Sequence, residues 1–246
     1  MLNHPTYDKL YQLKLTGMAA ALEEQSRLQG CQDMTFEERL GLLVDREMDQ
    51  RSNRKLALRL KNARLSQSAT LEDIDFRHAR GLDRSVIAAL LGCEWIHRYE
   101  NCLVTGPTGV GKSFIVCALA NQACRQGYKV VYVRATKLFA ELAMAKADGS
   151  FGKRLIALAK CDLLVLDDWG LAPLTLEQSR DFLEILEDRY AKRSTVVASQ
   201  VTLDKWHPLI ADPTLADAAL DRLVHNAHRI ALAGESMRKT RGVAAR

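Results

Sequence analysis

Two rhythms of apolar positions divide the chain. Up to about Arg64 the spacing is helical: Leu10, Leu13, Leu15, Met18 and Leu22 fall on one face. The run "TFEERLGLLVDREMDQRSNRKLALRLKNARL" follows, with Phe36, Leu40, Leu43 and Val44 as its stripe and with Thr35 and Glu38 placed as a capping box at its start. Residues 65–100 form a polar connector with short helices near Thr70–Asp73 and Asp83–Leu91. After Tyr99 strands and helices alternate. "NCLVTG" is a buried strand, "KSFIVCALANQACRQG" a helix closed by Gly127, and "YKVVYV" the next strand. Helices "TKLFAELAMAKADG" and "KRLIALAK" lead to strand "DLLVLDD". Helix "TLEQSRDFLEILEDRYAK", strand "STVVASQ", helices around "LADAALDRLVHNA" and a last strand "HRIALAG" complete the series. The alternation predicts an α/β fold with a mostly parallel sheet wrapped on both faces and a ligand at the strands' carboxyl ends. The expected organisation is a small helical module over residues 1–66, a connector over 67–98, and the α/β domain over 99–246.

Composition changes this picture little. With 246 residues, 48% of them hydrophobic, the chain has ample core for the α/β domain and a smaller module. A net charge of +5, from 35 basic and 30 acidic residues, is too modest to attract a polyanion by itself, so any such affinity rests on local clustering. The long helix supplies a cluster: Arg46, Arg51, Arg54, Lys55, Arg59, Lys61 and Arg64 stand against only Glu47 and Asp49. Either it faces a polyanion or it is a solvated helix face, since Lys and Arg are good helix formers. The six cysteines show no CxxC pair and no zinc spacing, as expected of small core residues in a reducing compartment. No secretory h-region and no apolar stretch near the roughly 18 residues of a membrane span are present, so a soluble, cytoplasmic protein is expected.

The chemistry begins at "GPTGVGKSF", Gly106 to Phe114, where Gly106, Gly111, Lys112 and Ser113 match G-x-x-x-x-G-K-[ST] between a strand and a helix. Loop N–H groups of Pro107–Phe114, with Thr108, Gly109 and Val110 among them, would curl around phosphate oxygens at the helix's positive end; Pro107 itself has no N–H. Lys112 would reach the β- and γ-phosphates and Ser113 would ligate Mg²⁺. A second element is required, and "LLVLDDWG" supplies it. Asp167 ends an apolar strand as the Mg²⁺ partner, and Asp168 either orients or deprotonates an attacking water or caps the turn at Trp169 and Gly170. Ser199 and Gln200 at the tip of "STVVASQ" would sense the γ-phosphate or serve as turn residues. Arg222, opposite an apolar stripe, is a surface-pair residue or, in a ring or filament, an arginine finger entering a neighbour's site. His225 and His228 lack a third metal ligand and are expected to be structural. Lys153 and Arg154 are further candidate DNA contacts.

Together "KLYQLKLTGMAAALEEQ", "FEERLGLLVDREMDQRSNRKLALRLKNARL", "NCLVTGPTGVGKS", "LLVLDDWG" and "LDRLVHNAHRIALAGESMRKTR" resemble the IstB family of insertion-sequence helper ATPases over nearly the whole chain. The nucleotide half is also similar to the helicase loader DnaC. The resemblance implies an AAA+ three-layer sandwich that uses ATP and Mg²⁺, self-assembles on double-stranded DNA largely without regard to sequence, and recruits and stimulates a partner transposase. It makes Gly106–Ser113 the Walker A loop, Asp167 and Asp168 the Walker B acids, Gln200 or Ser199 the first sensor, Arg222 the finger and Arg238 a second sensor. Two departures stand out. Asp168 replaces the usual glutamate, and only twelve residues, Glu235 to Arg246, follow the last strand, too few for a helical lid. A helicase loader sharing the ATP site is the alternative, and a nucleotide kinase would need an arginine-bearing lid that the chain does not offer.

Overall fold

The computed structural model describes residues 5–27, 33–78 and 80–237. The chain divides into two units, Met1–Leu58 and Arg59–Arg246, with the boundary inside one continuous helix. The first unit holds α1 (Pro5–Gln12), α2 (Thr16–Arg27) and most of α3 (Phe36–Ala63). The capping box forms as expected: the Thr35 amide donates to Glu38 Oε2 at 2.8 Å and the Glu38 amide to Thr35 Oγ1 at 3.3 Å.

The apolar stripes expected here do not become the core. Lys14 adopts φ +58° and splits the first stripe between two helices, and of Phe36, Leu40, Leu43 and Val44 only Leu43 is buried. What α3 turns inward is Glu47. Its carboxylate accepts the amides of Gly17 at 2.7 Å and Met18 at 3.2 Å, two of the orphan donors at the start of α2. A tertiary carboxylate thus caps α2 where no local side chain does. The helices are close enough that a Cβ on Gly17 would meet Glu47 Cα at 2.8 Å, so glycine is needed at this crossing. Burial pushes the Glu47 carboxyl up, but Arg51 and the two amides outweigh it and hold it below the ordinary value.

The second unit is built on five parallel strands: β1 (Asn101–Thr105), β2 (Val130–Arg134), β3 (Leu163–Trp169), β4 (Ser194–Ser199) and β5 (Ala227–Ala231), in the spatial order β2-β3-β4-β1-β5. Between them run α6 (Lys112–Arg125), α7 (Ala135–Ala147), α8 (Phe151–Lys160), α9 (Leu176–Arg189) and α10 (Pro213–Val224), with α4 (Arg84–Leu91) and α5 (Glu94–His97) in the connector before β1. Leu103, Val133, Leu164, Leu166 and Val197 pack on α7 to α10 in one core with Phe182, Trp169 and Trp206. Their strand neighbours Cys102, Val104, Val165, Val196 and Ala198, also buried, face the other way, where α6 packs across β1 to β4. Two polar side chains fix the amino ends of the strands. Asn101 donates to the carbonyls of Arg222 and Leu223 in the last turn of α10, while its own oxygen accepts the Thr195 amide at 2.9 Å. Arg189, 1% exposed, donates to the carbonyls of Leu158, Cys161 and Ser194, closing the carboxyl end of α8 with a buried cation. All five described cysteines are buried, as small core residues. No described helix is long and apolar enough to cross a membrane.

Candidate functional site

Because all strands are parallel, every carboxyl end opens on one edge of the sheet. The loop after β1 and the acids ending β3 are there separated by the width of β4, about 10 Å. The residue following β4 therefore lies between them, and that residue is Gln200.

The loop from Gly106 to Gly111 turns through three left-handed or near-left-handed glycines, with φ of +149° at Gly106, +89° at Gly109 and +98° at Gly111, conformations that side chains resist. Lys112 opens α6 and is buried; its Nζ donates to the Pro107 carbonyl at 2.8 Å. A cleft of about 200 Å³ opens above the loop. Thr108, Gly109, Gly111, Lys112, Ser113 and Phe114 form its floor, Asp168 and Gln200 one wall, and Gln67, Asp73, Asp75, Arg80 and Met237 the other. The connector thus contributes four of the thirteen lining residues, which no motif in the sequence announces. Arg80 is 4% exposed; burial lowers its pKa, and the nearby Asp75 works against that shift.

The pairing of β3 with β4 slips where the acids lie: Leu166 opposes Val197, yet Trp169 opposes Ser199, so one extra residue bulges out over Asp167 and Asp168. The bulge aims the two carboxylates differently. Asp167 is 2% exposed, with Oδ2 accepting the Tyr132 hydroxyl at 2.6 Å and Oδ1 the Asp168 amide at 2.9 Å. Burial, and then the bond to this carboxylate, pushes the Tyr132 hydroxyl well above its usual range. Asp168 has φ +56° and reaches the cleft, half-exposed, with Oδ2 3.7 Å from Arg134 Nε. Aspartate enters the left-handed region more readily than most residues, a local reason for the shorter acid here. Tyr132 lies in "YKVVYV" and Arg134 directly follows it; the pattern showed a buried strand there, not a partner for each acid.

The remaining candidates separate. Gln200 accepts the Thr108 hydroxyl at 2.6 Å and lines the cleft. Ser199 is fully buried, donating to the Trp169 carbonyl at 2.8 Å and accepting the Val201 amide at 3.0 Å, which ties β3 to β4. Arg222 lies at the opposite end of β1, its Nη2 2.9 Å from Glu187 and its Nη1 2.8 Å from the Ala218 carbonyl. Its side chain is only 27% exposed. Arg238 lies outside the described residues. His228 is paired with Glu100 at 2.7 Å. Of the basic run, Arg51 is paired with Glu47, Arg54 donates to Thr16, and Arg59 donates to the Cys124 carbonyl at the end of α6. Arg46, Lys55, Lys61 and Arg64 are exposed, as is Lys153, whereas Arg154 is half-buried against Glu141. Arg64 and Arg154 share a second cleft, of about 510 Å³, with Arg134 and Lys137.

A parallel sheet of this order, with a Walker A loop after β1 and paired acids on a bulge ending β3, defines a P-loop protein of the AAA+ class. The chain belongs to the family of IstB-like ATP binding proteins, which it matches over residues 8–245. It is 50% identical over 239 residues to the insertion sequence ATP-binding protein y4pL of Sinorhizobium fredii, covering 97% of this chain and 98% of that one. Among solved structures it is similar to DnaI (TM-score 0.59, 21% identity, 67% of this chain and 90% of that one). It is likewise similar to the DnaC helicase loader (TM-score 0.51, 19% identity, 67% and 96%). At such identities these two likenesses concern the fold.

Proposed function

We propose that this chain is an ATP-hydrolysing helper of insertion-sequence transposition. It binds double-stranded DNA largely without sequence preference, oligomerises on it with ATP, and recruits or stimulates the cognate transposase. The observation that carries the reading is the meeting of Lys112, Ser113, Asp168 and Gln200 in one cleft of a chain from this ATP-binding family. The Ser113 hydroxyl and the Asp167 carboxylate are hard oxygen donors of the kind Mg²⁺ takes. Bound there, Mg²⁺ would neutralise charge on the β- and γ-phosphates.

Each residue then has a distinct role. Loop amides and the α6 terminus hold the phosphates, and Lys112 leaves the Pro107 carbonyl for them. Asp168 orients or deprotonates the attacking water, with Arg134 beside its carboxylate. Gln200, bonded to Thr108 of the loop, reports the γ-phosphate to β4, while Ser199 acts one step behind by fixing the strand ends. Arg222 acts on a neighbouring subunit's phosphate. The exposed members of the basic run, with Lys153, supply phosphate contacts, and the absence of interleaved aromatics among them favours sequence-tolerant binding. Family membership over nearly the full chain favours the transposition helper over the helicase loader.

The test is Lys112→Ala. The variant should keep its fold and lose ATP turnover together with ATP-dependent sedimentation on duplex DNA. Parental turnover in the variant would remove the reading.

A further inference from the structure

Two segments outside the Walker A motif grip its carbonyls. Arg80 Nη1 donates to the Val110 carbonyl at 2.9 Å, and the Met237 amide donates to the Gly109 carbonyl at 3.0 Å. Both grips are close. A Cβ on Gly111 would lie 2.5 Å from Arg80 Nη1, and one on Gly109 would lie 2.0 Å from Ser236 Oγ and 2.6 Å from its Cβ, so at Gly109 packing as well as φ requires glycine. The two segments also hold each other. Arg80 donates through Nη2 to the Asp75 carbonyl at 2.8 Å and through Nη1 to Met237 Sδ at 3.0 Å, and its own carbonyl accepts the Ala233 amide at 2.9 Å.

The consequence follows from peptide geometry. In a planar trans peptide the C=O and the next residue's N–H point in opposite directions. Holding the Val110 carbonyl toward Arg80 turns the Gly111 N–H away from Arg80, and holding the Gly109 carbonyl toward the Met237 amide turns the Val110 N–H away from it. These are two of the loop donors that a phosphate chain needs, and an untied glycine-rich peptide can rotate either way. Arg80 is suited to hold the loop because it is almost wholly buried. Its Nε has no partner among the described residues, so its grip on loop and connector rests on the two terminal nitrogens.

We infer that Arg80 and the Ala233–Met237 segment are positioning elements that pre-set the phosphate-binding amides of the Walker A loop, the connector and chain end acting on the loop from outside it. The inference rests on the reading of this cleft as a nucleoside triphosphate site. It assigns these cleft-wall residues the task of holding the loop.

The experiment compares Arg80→Met, which keeps the stem and removes the donors, with Met237→Pro, which removes the backbone donor, and Met237→Ala, which keeps it. Each is titrated by calorimetry with ATP and, separately, with inorganic triphosphate, both with Mg²⁺, after thermal unfolding has checked the fold. One mis-aimed charge-assisted hydrogen bond should weaken ATP by about tenfold or more in Arg80→Met and Met237→Pro. Triphosphate should weaken by the same factor, and Met237→Ala, which keeps the amide and loses only the thioether contact with Arg80, should weaken ATP less than Met237→Pro does. Parental ATP affinity in both variants would overturn the inference; so would a loss for ATP with none for triphosphate, which would place the segments at the base. Should Arg80→Met fail to fold, the proline and alanine pair at Met237 decides. If the parental chain binds neither probe, the nucleotide reading itself falls, and this inference with it.

Discussion

Replacing Tyr132 by Phe removes one oxygen and isolates the bond that holds Asp167. The hydroxyl donates to Oδ2 at 2.6 Å, with Tyr132 8% and Asp167 2% exposed, so no bulk water takes its place. Two effects oppose each other. Losing a buried hydroxyl relieves its desolvation, whereas the carboxylate keeps its buried Oδ2 and loses a donor. A hydrogen bond to a charged group contributes about 1.5–3 kcal/mol, and an unpaired buried charge costs more than an unpaired hydroxyl, so the loss should prevail. Tyr132→Phe should therefore lower the stability of the nucleotide unit by about 2 kcal/mol, a drop in melting temperature of roughly 4–8 °C for a domain of this size. Urea titration of the parent, Tyr132→Phe, Asp167→Asn and the double variant closes a cycle. The tyrosine effect should shrink by about 1 kcal/mol or more once residue 167 is neutral. A loss below about 0.5 kcal/mol, or one undiminished in the Asp167→Asn background, would refute this assignment, since burial alone would then explain the residue.

Glu47→Gln tests the first unit: because the folded carboxyl titrates below its ordinary value, its contribution is complete above that value and is lost as pH falls through the folded one. The variant should be destabilised at neutral pH yet show a flatter acid limb than the parent in melts taken from pH 7 to pH 3. Asp168→Asn should bind ATP and slow its hydrolysis, trapping an ATP-bound assembly; parental turnover by the purified variant would reduce Asp168 to a turn residue. If Arg46, Lys55, Lys61 and Arg64 each neutralise one phosphate, DNA affinity should fall about a hundredfold between about 50 and 200 mM salt. A flat salt profile in an anisotropy titration would exclude that contact set. Arg222→Ala should bind ATP as the parent does and lose DNA-stimulated turnover, which equal turnover with and without DNA in both proteins would contradict.

Much of the fold was legible because parallel strands buried on both faces read as continuous apolar runs. β1, β3 and β4 are such runs, the edge strands β2 and β5 and the long helices also fall where the alternation predicts them, and the Walker A loop announces itself by spacing. The helical unit was less legible for a physical reason. α2 buries Gly17, Ala19 and Ala21 and meets α3 at Gly17 and a capping carboxylate, so the large apolar side chains that dominate a periodicity reading are not the ones buried. The acids were readable as residues, but their division of labour was not. It depends on a one-residue register slip and on Tyr132 and Arg134 from the edge strand, which follow from pairing across the sheet. Arg80 and Asp75 were invisible because long-range folding, not a local motif, brings a polar connector to the loop.

The placement of Arg222 constrains any assembly in which it completes a site. Its carbonyl is bound by Asn101 at the amino end of β1, while the Walker A loop leaves the carboxyl end of the same strand, about 15 Å away along the sheet. The side chain cannot reach its own phosphates, and pocket and finger lie at opposite ends of one subunit. A two-fold contact would have to join each pocket to the other's finger at once, giving a closed dimer with two shared sites. A head-to-tail contact joins pocket to finger in one direction only, and such contacts repeat into rings or filaments. Glu187, 2.9 Å from Arg222, holds the guanidinium in the separate subunit, so docking must exchange one anionic partner for another. In an equal mixture of Lys112→Ala and Arg222→Ala, both inactive alone, about a quarter of randomly formed head-to-tail interfaces would unite an intact pocket with an intact finger. Turnover recovered in that mixture, and absent from either protein alone, is the signature of a shared site; an inactive mixture that still assembles would assign Arg222 to its Glu187 pair and nothing more.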